Sequence, residues 1–373
     1  MIYLDNNSTT QPSRMAVEAM LPYLTDRYFN ASASTAAFTG ADKPEREAAN
    51  ALAKLLKAEE PVCFAFTSGA TESNNWVFTA AARAHRFGRV IISAIEHVSV
   101  SEPAAELKRQ GFDVIEVPVD RQGVIQIDVL ARSLSEDTIL VSVIAANNET
   151  GVLEPIAEIG RLVRQHCPNA LFHTDATQAV GKIPIDLMDQ WQELDFLSFS
   201  AHKFHGPKGV GGLYIRPGIK VAPMLRGGGQ ERGLRSGTVN TPGLAGTAAA
   251  ARAIDMEMMA RVQSLRDELE SSLVASSKIT IHSTGAPRLP NTSCFSVCGF
   301  SGNDIAHSLA AEGIVVGTGS ACSAGAISPP KTVLALGVDY ATARGTLRVS
   351  LSSLTTPSDI QALIDALEKM RIL

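Results

Sequence analysis

The sequence predicts an α/β fold with a large domain, in which helices cover a mostly parallel sheet, and a small α+β domain after it. From residue 62 to residue 200, short apolar runs alternate with longer amphipathic segments, and this alternation is typical of parallel sheets. The chain has 373 residues, of which 45% are hydrophobic, so it can form two domains with substantial cores. We expect an N-terminal segment over 1–14, a large domain over 15–250 and a small domain over 251–373.

The predicted elements follow one another regularly along the chain. A first helix begins at Pro12, and a loop of small and polar residues over 30–41 separates it from a helix over 44–57. Strands are predicted at 62–66, 90–93, 114–117, 140–145, 170–173 and 194–197. Helices are predicted between them at 72–86, 100–110, 128–134 and 156–166. One long helix over 242–275 leads to the small domain, with strands near 280, 296, 315 and 348 and helices near 304–311 and 358–370.

Composition and charge exclude several classes of function. A net charge of -5 gives no basic face for nucleic acid, and no apolar run approaches the roughly 20 residues that span a bilayer. The N-terminus lacks the pattern of a secretory signal. The five scattered cysteines favour a reducing compartment, and their spacing does not predict a metal site. We therefore expect a cytoplasmic protein without nucleic-acid, membrane or metal partners, in which Cys63, Cys167, Cys294 and Cys298 are packing residues.

Polar segments follow five of the predicted strands. In parallel α/β sheets, ligands bind beyond the carboxyl ends of the strands, where such segments converge. The sequence therefore predicts a binding site at this edge of the sheet. The converging segments are 67–72, 94–97, 147–151, 174–178 and 200–209.

Lys203 is the strongest candidate for a reactive group at this edge. It follows a buried strand and is flanked by Ser200 and His202, which can donate hydrogen bonds to a phosphate. A desolvated lysine amine can form a Schiff base with a carbonyl, as it does with pyridoxal phosphate. That cofactor also requires a carboxylate beside its ring nitrogen, and Asp175 is the best candidate. The alternatives are a solvated loop lysine and an aspartate that caps a helix.

Three further segments fit such a cofactor. Ala70 and Thr71 open a helix after a strand, and the N–H groups of a helix N-terminus bind phosphate. Gln178 could donate to a ring hydroxyl, or it could be a surface glutamine. His97 could stack on a planar ring, or it could only bond to nearby backbone.

Cys322 and Arg348 are candidates for contact with a substrate. Small residues surround Cys322, which predicts an exposed loop from which a thiol could reach a substrate and withdraw. The alternative is a buried cysteine that packs as a small hydrophobe. Arg348 lies in an apolar strand and needs an anion, which is either a substrate carboxylate or a structural ion-pair partner.

Short motifs occur in one order along nearly the whole chain. They are 3–7 YLDNN, 67–74 TSGATESN, 96–97 EH, 147–151 NNETG, 175–178 DATQ, 200–203 SAHK, 227–232 GGGQER, 235–238 RSGT and 319–322 GSAC. This ordered set resembles the cysteine desulfurases of the NifS and IscS type. These are fold-type I, pyridoxal phosphate-dependent enzymes of the class-V aminotransferase family.

The resemblance implies a role for each candidate toward pyridoxal 5'-phosphate. Lys203 would bind the cofactor covalently and move the Cα proton, Asp175 would pair with the ring nitrogen, and His97 would stack over the ring. The other implied cofactor contacts are Ala70, Thr71, Ser200 and His202 at the phosphate, Gln178 at the ring oxygen, Asn148, and Thr238 from the second subunit of a homodimer.

The resemblance also implies the substrate and the reaction. Asn148 and Arg348 would hold the carboxylate of L-cysteine, and Cys322 would attack its sulfur. The products would be L-alanine and a persulfide on Cys322, whose sulfur passes to an acceptor protein such as an iron–sulfur scaffold.

The sequence departs from the family pattern at a few positions, without loss of a proposed catalytic group. Ser8 and Gln11 stand where alanine and proline are usual, the 31–38 loop lacks the usual proline and histidine, and Ser353 stands where arginine is common. The alternatives to a desulfurase are a selenocysteine lyase or another enzyme of the same fold. A binding protein without activity is disfavoured because the candidate functional side chains are all retained, namely Lys203, Asp175, His97, Arg348 and Cys322.

Overall fold

The computed structural model describes residues 1–318 and 328–373, so Cys322 lies outside the described residues. The strands in chain order are β1 Ile2–Tyr3, β2 Phe64–Thr67, β3 Arg89–Ser93, β4 Asp113–Val117, β5 Thr138–Ser142, β6 Leu171–Asp175, β7 Phe196–Ser200, β8 Gly211–Ile215, β9 Ile279–Ile281, β10 Thr292–Val297, β11 Ile314–Val315 and β12 Thr346–Ser350. The helices are α1 Arg14–Leu24, α2 Ala36–Thr39, α3 Lys43–Leu56, α4 Ala70–Ala84, α5 Val98–Arg109, α6 Ile127–Ser133, α7 Ile156–His166, α8 Thr241–Arg252, α9 Met256–Leu273, α10 Gly302–Ala311, α11 Lys331–Ala335, α12 Tyr340–Ala343 and α13 Pro357–Lys369.

The larger sheet of the described residues has seven strands in the order β2-β8-β7-β6-β5-β3-β4. Strands β3 to β7 pair in parallel, whereas β8 is antiparallel to both of its neighbours, β2 and β7. Strands β2 and β7 therefore point the same way, and the carboxyl ends of β2, β6 and β7 meet at one edge. The prediction of a mostly parallel sheet is confirmed.

Helices bury both faces of this sheet. Along β7, Leu197 and Phe199 belong to the core on one face, while Phe196 packs on the other face with Trp76 and Phe78 of α4. All these side chains are nearly inaccessible to solvent. Burial on both faces explains why the strands read as continuous apolar runs rather than as an alternating pattern.

A separate core forms around the antiparallel sheet β12-β10-β9. There α9 and α13 contribute Leu269 and Leu363, which pack in one cluster with Phe295 and Leu347. The N-terminal residues join this part of the molecule, because β1 pairs in parallel with β11 and Leu4 is buried in the same cluster.

The prediction of one long helix over 242–275 is wrong. The segment forms α8 and α9, which are separated at residues 253–255. Asp255 caps the second helix, because its side chain accepts the backbone N–H of Glu257 at 2.9 Å. An N-cap residue has extended backbone angles, so it ends the helical run before it.

Other boundaries differ from the predictions by a few residues. The first helix begins at Arg14, after the Ser13 cap, rather than at Pro12. The loop over 30–41 contains the short helix α2, and β7 continues to Ser200 rather than ending at residue 197. Strand β8 was not predicted, because its two glycines make the segment resemble a loop.

The cysteine predictions hold for three of the four described thiols. Cys63, Cys167 and Cys294 are buried, as expected. Cys298 is exposed, so its prediction as a packing residue is wrong. It lies just after β10 ends, where the chain turns away from the core. Among the described helices, none is long and apolar enough to cross a bilayer.

Candidate active site

A cavity of about 200 Å³ lies at the edge where the strand ends converge. The structure brings most of the predicted site residues to its wall. Those that line it are Ala70, Thr71, His97, Asn148, Asp175, Gln178, Ser200, His202, Lys203 and Arg348.

Lys203 enters this cavity from the loop between β7 and β8. Its Nζ donates hydrogen bonds to two backbone oxygens of the N-terminal segment, Asn7 O at 2.6 Å and Ser8 O at 2.7 Å. The alternative of a solvated loop lysine does not describe this amine, which lines the same cavity as Asp175.

Asp175 is the last residue of β6 and is almost fully buried. Its Oδ1 accepts the backbone N–H of Thr177 at 2.9 Å, and its Oδ2 accepts Nδ2 of Asn74 at 2.8 Å. Turns, not a helix, follow the strand, so helix capping does not explain this residue. A carboxylate has about four lone-pair sites and can accept a further N–H from a ligand.

The first turn of α4 forms another wall of the cavity. The backbone N–H of Ala70 donates to Ser200 Oγ at 2.8 Å, which leaves the hydroxyl hydrogen of Ser200 available to an anion. The N-terminus of α4 also carries the positive end of the helix dipole. This wall therefore suits a phosphate group.

His202 borders the cavity as a neutral imidazole. Burial, followed by the charges of Lys203, Lys208 and Lys182, lowers its pKa to about 4. Its Nδ1 lies 3.1 Å from Thr9 Oγ1, so its other ring nitrogen is left for a ligand.

Gly211 allows the Gly69 turn to approach the sheet at this wall. A Cβ atom at position 211 would lie 2.5 Å from both the Cα of Gly69 and the carbonyl oxygen of Phe199. Both contacts are with backbone that cannot easily move aside. The glycine at the start of β8 therefore determines how close α4 lies to the cavity.

His97 is the N-cap of α5 and is half-buried at the cavity wall. Its Nδ1 lies 2.8 Å from Ser99 Oγ. Burial lowers the pKa of the imidazole, with a smaller contribution of the same sign from Lys203, while Asp175 acts in the opposite direction.

Gln178 is buried, so the alternative of a surface glutamine is wrong. Its Nε2 donates to Asn7 O at 2.8 Å, and its Oε1 accepts Nζ of Lys182 at 2.5 Å. The lysine contact fixes the orientation of the amide. Its NH2 group has a second hydrogen for a ligand oxygen.

Arg348 forms a structural ion pair, which was one of its two predicted alternatives. Its Nη2 lies 2.5 Å from Asp5 Oδ1, and its Nη1 donates to the backbone oxygen of Asn148 at 3.0 Å. Its buried Nε has no hydrogen-bond partner among the described residues. These contacts use two of the five N–H donors of the guanidinium, so it keeps donors for a further acceptor.

Thr238 is exposed and does not line the cavity of Lys203 in the same chain. It borders a separate cavity of about 80 Å³ together with Glu231 and Arg235. The predicted role of Thr238 requires a second subunit.

Sequence reasoning missed three residues that organise the cavity. The backbone oxygen of Asn7 accepts both Lys203 and Gln178, Asn74 bonds to Asp175, and Ser99 bonds to His97. Asn74 lies one helical turn after Ala70, and this spacing could have indicated that it faces the sheet edge. No local pattern indicates the role of Asn7.

The cavity offers the groups that pyridoxal phosphate requires. One cavity is lined by a buried carboxylate and an amine. It is also lined by a helix N-terminus, with a hydroxyl and a neutral imidazole beside it. These groups match the ring nitrogen, the aldehyde and the phosphate of that cofactor in number and chemical type.

Comparisons with known proteins agree with this assignment. The family model described as aminotransferase class-V matches residues 2–363. A relative named cysteine desulfurase IscS, from Clostridium botulinum, is 37% identical, and the alignment covers 99% of this chain and 94% of the relative. The solved structure titled "NIFS-LIKE PROTEIN" superposes with a TM-score of 0.92 at 36% identity and full coverage of both chains.

A further solved structure, titled "SspA in complex with cysteine", has a TM-score of 0.84 at 30% identity and covers 95% of this chain and 100% of its own. The agreement in fold confirms the predicted class, that of fold-type I enzymes. The chain belongs to the class-V aminotransferase family, among the cysteine desulfurases of the NifS and IscS type.

Proposed function

We propose that the chain is a pyridoxal 5'-phosphate-dependent cysteine desulfurase. It takes sulfur from L-cysteine, releases L-alanine and leaves a persulfide on Cys322. The observation that carries this proposal is the cavity that the amine of Lys203 shares with the buried carboxylate of Asp175. Membership of the cysteine desulfurases supports the same reaction.

Nearly all of the proposed cofactor contacts lie on the cavity wall. Lys203 would hold the cofactor covalently, Asp175 would accept a hydrogen bond from the protonated ring nitrogen, and Gln178 would donate to the ring oxygen. His97 contacts the ring. The phosphate contacts are the backbone and side chains at Ala70, Thr71, Ser200 and His202, and Asn148 borders both cofactor and substrate.

The bound cofactor supplies an electron sink for the Cα of the substrate. Arg348 and Asn148, which both line the cavity, would orient the substrate through its carboxylate. Lys203 Nζ, once the substrate amine has displaced it from the cofactor, would take the Cα proton. The backbone oxygens of Asn7 and Ser8 accept hydrogen bonds from this amine at the cavity wall.

Cys322 receives the sulfur in the proposed reaction. Its thiolate attacks the sulfur of the substrate, so a sulfur–sulfur bond forms while the carbon–sulfur bond breaks. The electron pair of the broken bond stays with carbon, which takes up protons and leaves as alanine. The persulfide on Cys322 then passes its outer sulfur to an acceptor protein, such as an iron–sulfur scaffold, in the cytoplasm.

The proposal includes a homodimer with shared sites. Thr238 is exposed and does not line the cavity of its own chain, as expected of a residue that serves a second subunit. Large apolar side chains are also exposed along α1 and just after it, namely Met15, Val17, Leu21, Leu24, Tyr28 and Phe29. Burial of such a surface against a second copy stabilises a dimer.

A pair of cysteine variants tests the proposed function. We expect Cys322→Ala to keep the visible absorbance of the lysine-bound cofactor and to lose alanine formation from cysteine. Cys298→Ala is the matched control, since it removes an exposed thiol that has no role in the proposed reaction. Absorbance spectra and alanine release measure the two properties separately.

A lysine variant tests the cofactor itself. Lys203→Ala is expected to lose the visible absorbance and the turnover together. Full turnover by Cys322→Ala would contradict the proposed nucleophile, and wild-type protein purified without visible absorbance after addition of pyridoxal phosphate would contradict the proposed cofactor. Competition between selenocysteine and cysteine tests the lyase alternative.

A further inference from the structure

A chain of hydrogen bonds connects Asp175 to His97 through two residues that the proposed reaction does not use. Asp175 Oδ2 accepts Nδ2 of Asn74 at 2.8 Å, and the same Nδ2 lies 2.8 Å from Ser99 Oγ. Ser99 Oγ in turn lies 2.8 Å from Nδ1 of His97. Asn74 is completely buried and Ser99 nearly so.

The carboxylate determines the direction of these bonds. A carboxylate only accepts, so the amide of Asn74 must turn its NH2 group toward Asp175. The two hydrogens of that group then serve Asp175 and Ser99. The Oδ1 of Asn74 is left buried without a partner among the described residues, whereas the flipped amide would set two acceptors against each other.

The same reasoning determines which atom donates in the hydrogen bond between Ser99 and His97. Ser99 Oγ accepts from Asn74, so its own hydrogen is directed to His97 Nδ1. The backbone N–H of Ser99 also points at this nitrogen, at 3.2 Å, in the N-cap of α5. A backbone N–H can only donate, so Nδ1 acts as an acceptor.

We propose that Asn74 and Ser99 are positioning residues that hold His97 as a neutral imidazole with its proton on Nε2. Protonation of the ring would place a hydrogen on Nδ1, against the N–H of Ser99. The N-terminus of α5 also disfavours a positive charge at its cap.

The charged groups around His97 act in both directions. Asp175 at the end of β6 favours the cation, and Lys203 after β7 opposes it. The groove that His97 also lines carries two acids and two bases, namely Glu102, Glu106 and Arg109 of α5 and Arg83 of α4. The geometry at Nδ1 therefore decides the protonation state, with burial acting in the same direction.

The consequence for catalysis rests on the proposed function. Next to a cofactor ring whose nitrogen Asp175 would keep protonated, a neutral imidazole adds no second positive charge and has its N–H donor at Nε2. Ser99 and Asn74 would therefore set the pH range in which His97 serves the reaction.

Nitrogen NMR of the full chain labelled with 15N-histidine tests the inference. The chain has eight histidines, and a His97→Gln spectrum identifies the signals of His97. At neutral pH we expect Nδ1 without a proton and Nε2 with one. This wild-type spectrum tests the tautomer even if a variant fails to fold.

Variants at position 99 test the positioning role. Loss of one hydrogen bond to the neutral ring should raise the proton affinity of His97 roughly threefold to tenfold in Ser99→Ala. Ser99→Thr keeps the hydroxyl and should restore the wild-type titration. Ser101→Ala, two residues further along α5, is the matched control and should change nothing. The acidic limb of the pH profile for alanine formation should follow the same order.

A wild-type spectrum with the proton on Nδ1, or with both nitrogens protonated at neutral pH, would overturn the inference. So would an unchanged titration in folded Ser99→Ala. If the spectra match the expectation but no alanine forms from cysteine, the inference stands and the proposed function falls.

Discussion

Replacement of Asn7 by alanine should destabilise the protein and disturb the cavity together. Asn7 is buried, and its Nδ2 donates to Thr292 Oγ1 at 2.9 Å and to the backbone oxygen of Asn148 at 3.2 Å. Its Oδ1 accepts Nδ2 of Asn291 at 3.1 Å. Alanine removes all three bonds, and each partner keeps one other hydrogen bond.

The expected loss follows from these three bonds. At a net contribution near 1 kcal/mol each, Asn7→Ala should lower the free energy of unfolding by about 3 kcal/mol. The backbone oxygen of Asn7 also holds Lys203 and Gln178, so we expect weaker retention of pyridoxal phosphate. Urea unfolding followed by circular dichroism measures the first effect, and absorbance after dialysis measures the second.

Asn50→Ala is the matched control for this prediction. Asn50 is exposed on α3, and surface substitutions of this kind change stability by no more than about 0.5 kcal/mol. If Asn7→Ala unfolded at the same urea concentration as this control, the hydrogen-bond reasoning would be refuted.

Two further substitutions test structural features near the cavity and in the core. Gly211→Ala would set a methyl group 2.5 Å from the Cα of Gly69, and we expect a loss of roughly 1–3 kcal/mol in unfolding free energy together with weaker cofactor binding. If Gly211→Ala unfolded in urea and retained the cofactor as the wild type does, this prediction would be contradicted. Burial raises the pKa of the Glu96 carboxyl to about 8 from its ordinary 4.5, against the lowering effect of its bonds from Ser93 and Ile144. The folded state therefore binds this proton more tightly than the unfolded state does. The free energy of unfolding should fall as the pH rises from 4.5 to about 8. In Glu96→Gln the contribution of this carboxyl to the pH dependence of stability should vanish. If the wild type and the variant showed the same pH dependence of unfolding, the prediction would be wrong.

The sequence predicts those cavity residues that stand at the end of a strand or at the start of a helix. Asp175 and Ser200 end apolar runs, and Ala70 opens a helix after one, so each could be assigned to the same sheet edge. Their roles toward one cofactor came from the resemblance to a family. The contacts of Asn7 could not be predicted, because they join positions that lie 141 to 285 residues apart in the chain.

The errors in the fold have physical causes as well. The break between α8 and α9 has no glycine or proline to mark it, and the cap at Asp255 was the available signal. The exposure of Cys298 depends on where β10 ends, and boundaries are the least predictable feature of an element.

The hairpin that carries Lys203 restricts how this residue can move. Its loop is anchored at both ends, because Ser200 pairs with Gly211 across β7 and β8 and the backbone N–H of Ala201 donates to the oxygen of Val210 at 3.0 Å. The central sheet thus holds the backbone of the loop that carries Lys203 in place. The amine can therefore move between proton donor and acceptor only by rotation about the bonds of its own side chain. The length of its four methylene groups limits how far it can reach.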